Sequence, residues 1–199
     1  MHPHSIIALN LFGDRYTARF KELVDARIAI KHRDKAALQT LFGGAFAEYA
    51  DASDDELKNL AGALKIVINA VYGLTAAHFP NLFRDERNVD NIVAKRGALF
   101  MTELKHQLEQ KGIHVVHIKT DSIKIDNPSP ETEAFIIEFG KKYGYDFEVE
   151  SEYKKMCLVN DAVYVAYTKD NKWTATGTQF AVPYVFKTLF SKEPIEFKD

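Results

Sequence analysis

The sequence predicts an α+β fold: a helical arm inserted near the start of a body built on an antiparallel sheet. Three observations carry this. Apolar residues recur at helical spacing over 14–35 and again over 53–73, where Ser53-x-x-Glu56 forms a capping box. A further helix-period segment over 88–111 ends at Gly112. Beyond it, short alternating runs separated by turn residues replace the helical period.

The elements follow in order. Asp14 reads as the N-cap of the first arm helix, with Phe20, Leu23, Val24, Ile28 and Ala29 on its apolar face. Seven basic residues (Arg15, Arg19, Lys21, Arg27, Lys31, Arg33, Lys35) outnumber four acidic ones over 14–35, so this arm is basic. Residues 36–50 read as a short helix broken at Gly43-Gly44. The helix opened by Ser53 has one stripe of Leu57, Leu60, Leu64, Ile68 and Val71, and Gly73 is expected to close it. Residues 74–87 read as irregular. HVVHI enters the turn KTDS and IKI leaves it, two strands around a tight turn. NPSPE starts a helix over about 130–142 that Gly144 stops. Residues 145–177 read as two or three strands, with Asp170-Asn171 at the last tip, and 182–190 as helical. The body is expected to comprise 1–13 and 74–180. There is no internal repeat.

Composition narrows the class. The 199 residues carry 26 basic and 28 acidic side chains, a net charge of −2 that gives no global nucleic-acid signal. No apolar run approaches the ~18 residues of a membrane span. The opening MHPHSIIALNLFGDRY lacks a basic n-region, so a cytoplasmic location is expected. The single cysteine, Cys157, excludes an internal disulfide framework and a thiolate zinc cluster, and reads as a buried structural thiol.

Three groups of residues carry chemistry. Asp121 sits at the hairpin tip between Thr120 and Ser122. It reads either as a turn residue bonding its own backbone or as an oxygen ligand for a hard cation such as Mg²⁺. Lys65, Asn69 and Tyr72 share one helix face at i, i+4 and i+7. That face reads as a solvated surface or as a seat for a phosphate, a base edge or a sugar. Arg27 and Lys31, also at i, i+4, form a solvated charge pair or a clamp for a polyphosphate. The histidines offer less. His2 and His4 stand near the start of the chain, and His114 and His117, three apart on a strand, point to opposite faces. Tyr167 and Trp173 are expected to pack across the late hairpin.

Order and spelling add what spacing leaves open. LKIVINAVYG at 64–73 resembles the fingers-helix motif Kx3NSxYG of family B DNA polymerases, here Lys65-x3-Asn69-Ala70-Val71-Tyr72-Gly73. VHIKTDSIKI at 116–125 resembles that family's palm motif YGDTDS, and Arg96-Gly97 its GR element. MHPHSI resembles the end of the first palm motif, DxxSLYPSxI. FEVESEYKKMCLVNDAVYVAY at 147–167 resembles the palm segment carrying KxY, and TATGTQFAVPYVFKTLFS the entry to the thumb. The resemblance covers nearly the whole chain in the family's order and is nearest to phage-type members.

It implies a fingers-and-palm fragment of a template-directed DNA polymerase, with palm at 1–13 and 74–180, fingers at 14–73 and the start of a thumb at 181–199. The implied partners are primer–template DNA and deoxynucleoside triphosphates, without a membrane, and the implied cofactor is Mg²⁺, two ions in the complete enzyme. Asp121 corresponds to the aspartate that ligates both ions. Lys65, Asn69, Arg27 and Lys31 correspond to residues meeting the incoming triphosphate. Tyr72 and Gly73 would lie under the nascent base pair, His2 stands at the sugar-screening position, and Tyr164 and Lys119 would meet DNA.

The sequence departs from the family at four places. The other metal-ligating aspartate falls four residues before Met1, so the chain alone is expected to be inactive: one carboxylate offsets little of the repulsion between two cations. Lys119 replaces the first aspartate of DTDS, His2 replaces a tyrosine, and Ala162 replaces the lysine of KxY. An exonuclease domain is absent, and 181–199 is too short for a complete thumb. The alternative is a non-catalytic module that binds nucleic acid or nucleotide on the same scaffold.

Overall fold

A computed structural model describes residues 1–177. Seven α-helices and five strands lie in that span: α1 (His2–Ala8), α2 (Gly13–His32), α3 (Lys35–Thr40), α4 (Asp54–Thr75), α5 (Glu86–Val89), α6 (Ile92–Gln110), α7 (Pro130–Lys142), β1 (Val115–Lys119), β2 (Ser122–Ile125), β3 (Tyr153–Asn160), β4 (Val163–Thr168) and β5 (Trp173–Thr176). The expected helix over 182–190 and the expected thumb entry fall outside the described residues.

α2 and α4 form an antiparallel helical hairpin. Arg33 at the end of α2 pairs with Asp54 at the start of α4 at 2.6 Å. Farther along, Phe20 and Val24 share a core with Ile68. Ala29 and Ile30 share another with Leu38, Leu57 and Leu64. α2 starts at Gly13, after Phe12 rather than at Asp14 as its cap. Asp14 lies inside the first turn and accepts from Asn10 Nδ2 at 2.7 Å, while the Phe12 amide donates to Thr17 Oγ1 at 3.2 Å. The chain leaves α2 through Arg33 in the left-handed region, and Asp34 caps α3 by accepting from the Ala37 amide at 3.0 Å. The break at Gly43-Gly44 is present between α3 and α4, where both glycines have positive φ within or beside a 3₁₀ turn.

The capping box of α4 forms: the Ser53 amide donates to Glu56 Oε2 at 2.9 Å and the Glu56 amide to Ser53 Oγ at 3.4 Å. Gly73 does not end the helix. α4 runs to Thr75 because residues far along the chain satisfy its last carbonyls. Thr75 Oγ1 donates to the Tyr72 carbonyl at 2.6 Å, Asn81 Nδ2 to that of Leu74 at 3.1 Å, and the Asp85 amide to that of Thr75 at 3.1 Å. Fully buried Asn88 completes the network, donating to Thr75 Oγ1 at 2.6 Å and accepting from the Val93 amide at 3.2 Å. That role keeps Asn88 out of the long helix, so α6 begins at Ile92 rather than at 88, after Asn91 in the left-handed region.

In the body, α6 and α7 pack Phe100, Met101, Leu104, Leu108 and Ile136 against Tyr145. β1 and β2 pair antiparallel, with Lys119 opposite Ser122, Ile118 opposite Ile123 and His117 opposite Lys124. The strand period therefore puts Ile118, Ile123 and Ile125 on the core side and His117, Lys119, Ser122 and Lys124 on the other. β3, β4 and β5 form a separate antiparallel sheet in that order. The strands thus divide into two sheets instead of one, and side chains join them: His117 Nε2 lies 2.8 Å from the Asp161 carbonyl oxygen. Tyr167 and Trp173 pack across the last hairpin with centroids 5.0 Å apart. Cys157 is exposed rather than buried. It lies on β3, an edge strand, and the buried residues of this sheet, Val163 and Ala166, are on central β4.

α1 joins the two halves. Ile6, fully buried, enters the core of α2 and α4, while Ser5 Oγ and Tyr145 Oη share a buried hydrogen bond of 2.7 Å on the body side. Gly140 sets the close approach of the 145–147 segment. A Cβ there would lie 2.8 Å from the Tyr145 carbonyl oxygen and 2.8 Å from the Phe147 ring. Gly140→Ala must shift backbone, and a loss of about 1–3 kcal/mol is expected, read as a lowered thermal midpoint.

Candidate nucleotide and DNA site

Asp121 is exposed in the hairpin turn Thr120-Asp121, within electrostatic reach of the start of α1. Its charge is felt there: Asp121 pulls the pKa of the Met1 amino group and of His2 upward, against the larger lowering by burial at both. The Met1 side chain rests on α6, where Gly97 leaves room. A Cβ at Gly97 would come 2.8 Å from Met1 Sδ. Arg96 beside it is engaged by the body, its Nη2 donating to the Tyr143 carbonyl at 2.5 Å and its guanidinium lying 4.7 Å from the Tyr145 ring centre.

His2 is held on the helical hairpin. Its ring stacks on Tyr72 with centroids 4.3 Å apart and planes 10° from parallel. Tyr72 is half-buried, and Lys65, Asn69 and Gly73 are exposed on α4. The three elements meet at one place: the hairpin tip with Asp121, α1 with His2, and the end of α4 with Tyr72. The buried Thr75–Asn88 network lies one turn beyond Tyr72 and locks that end of α4.

The two cations of α2 are treated differently. Arg27 Nε donates to the Ala61 carbonyl at 3.3 Å, the carbonyl one helical turn before Lys65, so Arg27 lies beside the α4 face. Lys31 is ion-paired with Glu148, which also lies 3.4 Å from His32 Nε2. The hydrogen bond from Lys31, the largest cause, and the charges of Lys31 and His32 hold the Glu148 carboxyl below its ordinary value, against burial. In the antiparallel hairpin Lys31 stands level with about residue 57 of α4, roughly 12 Å along the axis from Lys65. Arg27 is thus anchored one turn from Lys65 along α4, while Lys31 is engaged by Glu148, a residue with no motif to announce it.

On the far side of the hairpin, Tyr164 of β4 faces β1 and β2. Its pKa is lowered, most by the Thr176 hydroxyl, with Tyr153, Lys124 and Lys119 adding to the lowering against burial. Lys124 Nζ sits 4.7 Å from the Tyr164 ring centre. Lys124 belongs to no recognised motif and is missed by sequence reasoning, although alternation along IKI places it on the face of Lys119. Ala162, by contrast, lies in the β3–β4 turn, its amide bonded to Asn160 Oδ1 at 2.9 Å.

The implied pair of Mg²⁺ ions does not fit these residues. Among the described residues no group of three or more His, Cys, Asp or Glu is close enough to hold a metal ion. Asp121 contributes one carboxylate, whose charge acts on the Met1 amino group and His2.

No protein-family model matches the chain. Over 93 residues, 46% of this chain, it is 36% identical to a protein named DNA polymerase 1 from Sulfurisphaera ohwakuensis, and that stretch is 10% of the relative's length. The fold is similar to part of the family B DNA polymerase from the hyperthermophilic archaeon Pyrobaculum calidifontis, with a TM-score of 0.53 and 19% identity over 89% of this chain and 23% of that one. The chain is thus similar to archaeal DNA polymerases over a small part of their length. No helix among the described residues is long and apolar enough to cross a membrane.

His4 makes this junction sensitive to pH. Burial, and then the nearby Met1 amino group, lower its pKa below the ordinary 6.5, while Asp146, 3.8 Å away, acts in the opposite sense. His2 shifts the same way. The unfolded chain therefore binds more protons just below pH 6.5, so this stability is complete above that pH and is lost as pH falls through the lowered folded-state values. The thermal midpoint is expected to be lower at pH 5.5 than at pH 7.5, and His4→Gln should reduce the difference. Equal midpoints would contradict the burial of these rings.

Proposed function

We propose that this chain is the fingers and palm part of a template-directed DNA polymerase of family B. In this reading 14–73 is the fingers, 1–13 and 74–180 the palm, and 181–199 the start of the thumb. The observation that carries it is the convergence of Asp121, His2 and Tyr72. They come from three separate segments whose spellings resemble three separate polymerase motifs, and they meet beside the exposed face of Lys65 and Asn69. The phage-type assignment, which rests on the resemblance over nearly the whole chain, belongs to the same proposal.

The proposed roles follow from charge and position. Lys65 and Arg27 meet the triphosphate of an incoming deoxynucleotide, the first as a point charge and the second as a fork. Asn69 offers an amide to the same group. Tyr72 and Gly73 form the floor under the new base pair, and His2, stacked on Tyr72, borders the sugar. Tyr164 and Lys119 contact the DNA strand. Lys31 joins the triphosphate only after leaving Glu148. Mg²⁺ is the cofactor of the complete enzyme, where it supplies charge stabilisation at the phosphates. Asp121 alone does not provide for two ions, so incorporation is proposed only for a chain that brings a second carboxylate to Asp121.

That solitary carboxylate also favours a second reading, a module that binds DNA or nucleotide without catalysis. Primer extension with Mg²⁺ separates the two. The chain is compared with a version extended at its N-terminus by Asp-Val-Ala-Ser, and incorporation is expected from the extended version only. Salt-dependent binding of primer–template by both, without incorporation, would favour the binding module. Absence of both binding and incorporation would remove the polymerase reading.

Nucleotide binding tests the fingers assignment by itself. Lys65→Ala is expected to weaken Mg²⁺-dependent binding of a deoxynucleoside triphosphate about tenfold, since it removes one charged hydrogen bond. Equal binding by titration calorimetry would exclude Lys65 from the triphosphate site.

A further inference from the structure

We infer that Lys124 is a DNA-phosphate contact, supplying from β2 the cation that the β4 element lacks at Ala162; this rests on the polymerase reading. Four observations lead to it. Lys124 Nζ lies 4.7 Å from the centre of the Tyr164 ring, on the polar face of the hairpin that also carries Lys119. Neither lysine has an ion-pair partner among the described residues, whereas Arg19, Lys21, Lys31 and Arg33 of the helical arm pair with Glu22, Asp25, Glu148 and Asp54. The position is fixed from below. Lys124 is the cross-strand partner of buried His117, whose Nε2 meets the Asp161 carbonyl at 2.8 Å and so ties the two sheets together. Finally, the Tyr164 ring is flanked by those of His117 and Tyr153, with centroids 6.1 and 6.4 Å away.

The chemistry of the ligand follows. With Lys124 over the ring and His117 and Tyr153 beside it, Tyr164 is not a platform for a stacked base. What the face offers is positive charge on a rigid strand pair, with the aromatic ring holding the ammonium in place. A backbone phosphate fits that offer, and its recognition is independent of base sequence. Tyr164, beside the DNA strand itself, then also positions Lys124.

The test is fluorescence anisotropy of the 199-residue chain with labelled primer–template duplexes of two unrelated sequences, between 50 and 200 mM KCl. Lys124→Ala is expected to weaken binding equally on both sequences and to reduce the slope of log affinity against log salt by about one. Lys124→Arg should retain the slope, and Ala162→Lys added to Lys124→Ala should restore it, while the thermal midpoint reports folding of each variant. An unchanged slope in Lys124→Ala, when the unaltered chain binds, overturns the inference and leaves the polymerase reading standing. The same holds for a weakened affinity that keeps the wild-type slope and comes with a lowered thermal midpoint, since that is lost packing. Absence of salt-dependent binding by the unaltered chain overturns the polymerase reading and this inference with it.

Discussion

The structure depends on the burial of α1 between the helical hairpin and the body. This short helix and the Met1 that precedes it touch both sides. Ile6 fills the core of α2 and α4, Ser5 bonds Tyr145 behind α6 and α7, Met1 lies on Gly97, and His2 lies on Tyr72. A helix of this length has no stability of its own in water. It exists because its neighbours bury it on two sides, and in return it sets the distance between α4 and the hairpin tip. The candidate site is the space that this distance defines.

Within that space, charge is distributed by secondary-structure period. The β1–β2 hairpin has one isoleucine-rich face in the core and one polar face outside, so Lys119 and Lys124 cannot turn inward without a slip of register that would expose the isoleucines. α2 and α4 work in the same manner at 3.6 residues per turn, which leaves Lys65 and Asn69 outside once Leu64 and Ile68 are buried. Asp121 escapes both periods because it is in a turn. The acid and the cations therefore reach the site from elements that their apolar residues hold rigid, the arrangement that positioning of a charged ligand requires.

Several features are legible in the local sequence. The capping box at Ser53, the terminal glycines at 112 and 144, and the hairpin around Thr120-Asp121 are each set by residues within a few positions, and each forms where spacing indicates. The end of α4 and the start of α6 fall elsewhere than local pattern indicates, and they share a cause. Gly73 resembles a stop because its own neighbours offer no continuation, but Asn81, Asp85 and Asn88 satisfy the end of α4 from farther along the chain. Cys157 belongs to a residue type that favours burial, and the position of β3 at a sheet edge decides otherwise.

Sequence by itself determined the elements, the faces they would bury and the identity of most candidate residues, because the periods of helix and strand and the chemistry of caps are local. Tertiary structure decided which of those residues meet. Spacing does not tell that Arg27 stands beside α4 while Lys31, four residues on, is held by Glu148, or that Lys124 rather than a residue of β4 covers Tyr164. Those outcomes depend on the register between helices and on the packing of two sheets. Such contacts join residues dozens of positions apart, and no short-range pattern encodes them.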